Sequence, residues 1–332
     1  MATMTNKKKQ NPLTIVAVIA AVVLVAAVLI LLYHNHQSNL RTEEVGTTNE
    51  HAHRRIEVDG KQYVYNSDLI SLLVLGVDTT ELDDRGQTDA IYLVVLDRGE
   101  EKIKIISISR DAMVPIRLFD ANGKDLGWET QHLALAYSFG STAERGCLLV
   151  EEAVSRMFFN VPMVYYAAAD ISLLPRIQNL VGKLEVVVPN ASLEYLDQGY
   201  DAGSTVVITD ENVEQFVRSR DTEQDFSNDG RMERQKAYIE AYLAQLKERL
   251  ASDFSGVVSD LSGILPRTST NIDLTEITNF ANMLLDYEFS DEDYYILEGE
   301  SQSGMFHDEF IVDEAALQEL ALKIFYKEEN AK

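Results

Sequence analysis

Between Asp68 and Pro115 lie three apolar runs of strand length, with charged residues at the breaks between them, and this stretch constrains the fold more than any other. Leu69 to Val77 is apolar almost without interruption and stops at Asp78. A continuous run of that length reads as a strand buried on both faces, here delivering a carboxylate to a loop. Eleven residues on, Thr88 and Asp89 precede a second run, Ala90 to Leu96, so another carboxylate stands at a strand entrance. Lys102 to Ile108 alternates Lys102 and Lys104 with Ile103 and Ile105, which predicts a third strand with one wetter face, ending in Ser109, Arg110 and Asp111. Consecutive strands tend to be neighbours, and that pairing would bring Asp78, Asp89 and Arg110 to one cleft.

Leu13 to Leu32 is apolar apart from Thr14, and Lys7, Lys8 and Lys9 precede it with no acid nearby. At about 1.5 Å rise per residue such a run spans about 30 Å, the thickness of a bilayer's hydrocarbon core. A cleavable signal peptide is the competing reading, but its apolar region is usually about 7 to 15 residues and ends in a small-residue site. We therefore expect a cytoplasmic tail over 1–12, a transmembrane helix over 13–33, and everything after it outside the membrane, since lysines favour the cytoplasmic side. Without the three tail lysines the outer part has 26 basic against 54 acidic residues, a formal charge of −28. Phosphate backbones demand basic patches, so nucleic acid is not an expected partner. Residues 34–67 read as a stalk leading to a short entry strand over 57–65, and His34, His36, His51 and His53 as stalk residues rather than a metal site.

After Pro115, the turn-rich passage Asp120 to Gly127 predicts a hairpin or surface loop. Cys147 to Phe158 has apolar residues at helical spacing, with Glu151 and Glu152 on the opposite face. The lone Cys147 reads as a core residue, because no histidine motif accompanies it. Strands over 161–169, 184–188 and 205–209 alternate with helices over 171–181 and from Asp210, as N-cap, through Arg218, which predicts a layered α/β domain. A long helix is expected over 233–250, then helices over 274–287 and 314–326 and a strand over 293–298.

Against this acidic background the arginines stand out by position: Arg85 in the loop after Asp78, Arg110 at a strand end, Arg218 and Arg220 closing one helix, Arg231 and Arg234 opening the next. A guanidinium fork matches phosphate oxygens and stays charged in partly dry sites. Acids lie close by in sequence, Asp111 beside Arg110 and Asp221 beside Arg220, so for any single arginine a surface ion pair is the readier reading on spacing alone. Asp78 and Asp89 could share a Mg2+ ion, which binds through one or two carboxylates plus substrate phosphates, or could cap turns. No HExxH, CxxC pair, GxSxG or GxxxxGK[ST] signature is present.

Taken in order, LLVLGVD (72–78), GQTDAIYLVVLD (86–97), IISISRDAM (105–113), ALAYSFG (134–140), FVRSRD (216–221) and GRMERQKAYI (230–239) resemble the LytR-CpsA-Psr family, over roughly residues 68–250 behind a single N-terminal anchor. The resemblance implies an α/β fold with a mixed central sheet sandwiched between helical layers and an apolar groove for a polyprenyl lipid. It makes 68–250 the catalytic domain and 251–332 a C-terminal extension packed on it. The implied activity is Mg2+-assisted phosphotransfer outside the cell membrane, moving a glycopolymer from undecaprenyl pyrophosphate to peptidoglycan. By position, Asp78 and Asp89 match the family's metal-holding aspartates and Arg110 the arginine of its SxPRD motif, followed by Asp111. Arg218 and Arg220 match its RSR pair, and Arg231 and Gln235 the Arg and Gln of its RxxRQ motif. Arg85, Gln87 and His132 complete the implied substrate-binding set. Gln87 stands where many members have Arg, Ser109 where they have Pro, Ala112 where they have Thr, and His132 near where they have Lys; Asn228 and Asp229 occupy the place of a single Asp. These departures leave open a catalytically impaired protein that binds polyprenyl phosphates or wall polymers and regulates, and, further off, a lipid pyrophosphatase.

Overall fold

The computed structural model describes residues 55–82, 84, 86–196, 199–219, 229–304 and 308–329. The tail, membrane helix and stalk expected over residues 1–54 lie outside the described residues, as do Arg85 and Arg220. Among the described residues no helix is long and apolar enough to cross a membrane.

The described chain opens with a hairpin, β1 (Arg55–Val58) and β2 (Lys61–Tyr65), where one entry strand was expected. Asp59 and Gly60 turn it, both with left-handed φ, and that break is what splits the run in two. Three long strands follow: β3 (Leu69–Val77), β4 (Thr88–Asp97) and β5 (Lys102–Ile108). Then come the hairpin β6 (Met113–Phe119) and β7 (Asp125–His132), helix α1 (Ala143–Met157), β8 (Tyr165–Asp170), α2 (Leu174–Val181), β9 (Leu184–Val187) and β10 (Thr205–Ile208). Helices α3 (Val213–Arg218), α4 (Asp229–Ser252) and α5 (Phe254–Ser262) lead to β11 (Ser269–Thr270), α6 (Leu274–Asp286) and β12 (Tyr294–Ile296). The chain closes with the hairpin β13 (Gly299–Ser303) and β14 (Asp308–Val312), α7 (Glu314–Phe325) and β15 (Tyr326–Glu328).

Six strands form the central sheet in the order β11-β8-β3-β4-β5-β12. The three consecutive strands pair antiparallel, while β8 joins β3 and β12 joins β5 in parallel, so the sheet is mixed. Ile70, Leu72, Val94 and Ile105 face one apolar layer with Ile177 of α2, Leu243 of α4 and Phe280 of α6. Leu73, Leu75, Leu93 and Ile106 face the other, with Val150 of α1 and Phe325 of α7. Burying such a side chain contributes about 1.5–3 kcal/mol, so helices on both faces are what make an uninterrupted apolar strand stable in water.

The wetter face expected for β5 is not there. Lys104 is buried, and its Nζ is held by Asp97 Oδ2 at 3.0 Å and Glu100 Oε2 at 2.9 Å, so its charge is met inside the protein rather than by solvent. Helix α3 also begins later than the sequence suggested, with Asn212 as N-cap residue, because Asp210 instead accepts a bond from Asn179 Nδ2 at 2.9 Å. The C-terminal quarter supplies an edge strand, β12, to the central sheet, and β15 pairs with β2.

Cys147 is a core residue whose thiol burial pushes up to about 12, which leaves no thiolate nucleophile. One turn along α1, burial beside Glu152 raises Glu151 from 4.5 to about 7. A carboxyl raised in the folded state favours folding while protonated, and that contribution is lost as pH rises from about 4.5 through 7. Glu151→Gln is therefore expected to raise the melting temperature by a few degrees at pH 8, on the order of 1 kcal/mol, and to leave it unchanged at pH 4. Equal melting shifts at both pH values in thermal denaturation would contradict this.

Candidate functional site

Because β3, β4 and β5 run antiparallel, the end of β3, the start of β4 and the end of β5 meet at one sheet edge. Gly76 pairs with Ala90 and Val77 with Thr88, so Asp89 is an extra residue on β4. This bulge turns its carboxylate out of the ladder. Asp89 Oδ1 forms an ion pair with Arg110 Nη1, and Asp89 Oδ2 one with Arg218 Nη2 at 3.2 Å. Arg110 also donates to Gln87 Oε1 and lies 3.5 Å from Asp111 Oδ1. Arg218 reaches Glu214 Oε1 at 2.8 Å through its other nitrogen.

Gln87 joins the two strands of the loop, since its backbone N–H donates to Asp78 Oδ1 at 2.7 Å and its carbonyl accepts from Asp78 N at 3.0 Å. Gly86 is required there: a Cβ would stand 2.3 Å from Thr79 Cγ2 and 2.8 Å from Val77 Cγ1. The ALAYSFG segment pins the same loop, through Tyr137 Oη to Leu82 O at 3.0 Å and Ser138 Oγ to Gly86 O at 2.6 Å.

A cleft of about 950 Å³, its open mouth included, runs from this edge between the sheet and α4. Its floor follows from register. Ala169 on β8, Gly76 on β3 and Ala90 on β4 lie side by side, and three small residues in a row leave empty the space that larger side chains would fill. The walls are apolar, from Val74, Leu174 and Ile177 to Ile239. The polar residues of the lining include Asp78, Asp89, Arg218, Arg231 and Gln235, and the Arg231 residue is itself buried.

The structure thus brings Asp78, Asp89, Arg218, Arg231 and Gln235 together on the cleft and holds Arg110 and Gln87 against Asp89 and Asp78. Asp111 touches the group through Arg110. His132 is not on the lining; its Nε2 lies 2.8 Å from Asp308 O. Sequence reasoning missed Tyr92, which lines the cleft and donates its hydroxyl to Gln235 Oε1 at 2.9 Å. Burial raises the Tyr92 hydroxyl well above its ordinary value, so it stays a neutral donor. Nothing in sequence separates it from a core aromatic.

Asp78 and Asp89 flank the loop between β3 and β4 and are carboxylates on the lining that could take a divalent ion; Asp170, also on the lining, accepts from Ser172 N and Oγ through Oδ1. Among the described residues no group of three or more His, Cys, Asp or Glu stands together as a metal cage. Mg2+ does not need one, because it keeps waters and binds phosphate oxygens. Asp78 Oδ2 has no protein donor among the described residues, whereas both Asp89 oxygens meet guanidinium groups. The donor set fits an ion shared with a phosphate ligand rather than one held by protein alone.

Comparison with known proteins gives a match to the model of the LytR_cpsA_psr family over residues 30–322. A polyisoprenyl-teichoic acid–peptidoglycan teichoic acid transferase TagU of Halalkalibacterium halodurans is 25% identical over 207 residues, a match spanning 62% of each chain and so just under two thirds of that relative's length. The protein of the same name from Bacillus cereus is 27% identical over 269 residues, 79% of each chain. Among solved structures, B. subtilis TagV superposes with a TM-score of 0.59 at 20% identity, covering 78% of this chain and 96% of that one. TagT bound to LIIa-WTA superposes with a TM-score of 0.57 at 20% identity, covering 78% and 90%. These two likenesses establish the fold.

Proposed function

This chain belongs to the LytR_cpsA_psr family, and from that premise we propose that it is a membrane-anchored, extracytoplasmic phosphotransferase that moves a glycopolymer from undecaprenyl pyrophosphate to peptidoglycan with Mg2+. The observation that carries the reading is a cleft lined by three acids, Asp78, Asp89 and Asp170, and two arginines, with apolar walls beyond them, which suits the shape and chemistry of a prenyl diphosphate. The relatives named for polyisoprenyl-teichoic acid transfer support the same substrate class. The apolar run Leu13 to Leu32 is read as the anchor, with Lys7 to Lys9 on its cytoplasmic side.

In this reading Arg110, Arg218 and Arg231 meet the diphosphate oxygens and the charge that develops on them. An acceptor sugar hydroxyl attacks the sugar-proximal phosphorus, a new P–O bond forms, and the P–O bond to the lipid phosphate breaks, releasing the prenyl phosphate. Asp78, with one oxygen free of protein donors among the described residues, takes the hydroxyl proton. Asp78 and Asp89 are the residues that would hold Mg2+, which when bound neutralises diphosphate charge. Asp89 has a second task, since it holds Arg110 and Arg218 apart from each other's charge until phosphate replaces it.

A catalytically impaired binding protein is the second reading, favoured by Gln87, which gives Arg110 a carbonyl contact rather than adding a cation. Full-length protein in detergent, given a lipid-diphosphate-linked sugar, Mg2+ and peptidoglycan, separates the readings. Transfer with release of prenyl phosphate is expected; tight lipid binding without release would favour the second, and release without acceptor a pyrophosphatase. In the same assay Asp78→Asn is expected to lower the maximal rate by about 100-fold, because an amide cannot take the hydroxyl proton, and to raise the Mg2+ concentration for half-maximal rate by about 10-fold. A metal response identical to wild type would remove Asp78 from the site.

A further inference from the structure

Among the described residues Arg234 is the largest side chain that is completely buried, at 0% exposure. A guanidinium keeps its charge under all ordinary conditions, so its five N–H donors must be met inside. Four of its hydrogen bonds go to one small region. Nε donates to Phe216 O at 2.9 Å and Nη2 to Ser219 O, while Nη1 donates to Gly230 O at 3.2 Å and to Ser192 Oγ. The next residue, Gln235, donates through Nε2 to Val217 O at 3.1 Å. Phe216, Val217 and Ser219 surround Arg218, the last residue of α3.

The last carbonyls of a helix have no partners within it, and a short helix frays from that end unless something holds them. Helix α3 is six residues long, and Arg218 leaves its final turn to reach Asp89 at 3.2 Å. Two consecutive residues of α4 therefore clamp the backbone on both sides of Arg218. A cationic clamp suits this end, because helix C-terminal carbonyls carry partial negative charge.

We propose that Arg234 is a positioning residue for diphosphate recognition: it fixes the end of α3 so that Arg218 meets the polar end of the cleft. This rests on the reading of the cleft as a prenyl diphosphate site. A lysine at 234 keeps the charge but has a single nitrogen, which cannot span Phe216 O, Ser219 O and Ser192 Oγ together.

A double-mutant cycle on full-length protein in detergent tests it, with farnesyl diphosphate as the probe, binding read by titration calorimetry and folding by thermal melting. If Arg234 acts through Arg218, Arg234→Lys weakens binding by about 10-fold when Arg218 is present and by less than about 2-fold beside Arg218→Ala, where the apolar tail maintains residual affinity. A purely packing role would weaken both backgrounds by the same factor, and that result overturns the proposal. Ser192→Ala, which retains Arg234 but removes one of its acceptors, is expected to follow the same pattern with a smaller factor of about 3, and decides the matter if the lysine variant does not fold. Wild-type protein that fails to bind farnesyl diphosphate would overturn the site reading and this inference together, whereas wild-type binding with equal factors overturns the inference alone.

Discussion

Arg110→Ala is expected to lower transfer by about 1000-fold or more, the loss seen when a guanidinium that meets phosphoryl charge is removed. The side chain is 20% exposed and contacts Asp89, Gln87 and Asp111, so it sits at the junction of all three pieces of the loop edge. Removing it leaves Asp89 with Arg218 as a partner, which keeps that carboxylate from being stranded. The expected fall in stability is therefore modest, about 1–3 kcal/mol for a partly buried charged pair, and the melt remains cooperative. The three contacts of Arg110 make a measurable drop in melting temperature the expected result. Arg110→Lys restores the charge but not the fork, and so recovers little of the rate. Rates from prenyl phosphate release, set beside thermal melts, decide the point. A variant within about threefold of wild type would take Arg110 out of the reaction.

How plainly each element shows in the sequence follows from how completely it is buried. Leu69 to Val77 and Ala90 to Leu96 were legible because both faces of their strands are covered, which leaves an apolar run with no alternation to confuse. Convergence of Asp78, Asp89 and Arg110 followed from antiparallel neighbours, a local pairing. The pattern failed at Lys104, where a buried ion pair mimics a solvent-facing residue, since sequence shows the charge but not its partners. The bulge at Asp89 was invisible because it depends on a one-residue slip between two strands. The same is true of Arg234, whose partners come from three separate places in the chain, Ser192, the Phe216–Ser219 segment and Gly230, and which stood out only as one of two arginines opening a helix.

The cleft floor was likewise unreadable, because Ala169, Gly76 and Ala90 become a row only through the register of β8, β3 and β4, yet it supports the sharpest test of the lipid reading. Ala169→Phe is expected to weaken farnesyl diphosphate binding by about 100-fold, close to 2.7 kcal/mol, roughly what three or four excluded methylenes contribute. Ala169 lines open space and is half-buried, so a phenyl ring there fills a void rather than forcing a packed core apart. Overpacking costs about 1–3 kcal/mol in a dense interior, and here the low end applies. Gly76 is a poorer place to intrude, because a Cβ would stand 3.1 Å from Ala90 Cβ and strain the strand pair itself. Inorganic pyrophosphate has no tail, so its affinity should be the same in Ala169→Phe and wild type, while Arg110→Ala should lose pyrophosphate and retain part of its affinity for the prenyl chain. That crossed pattern ties each end of the ligand to one end of the cleft. If Ala169→Phe binds farnesyl diphosphate as wild type does, the apolar space is not where the lipid lies.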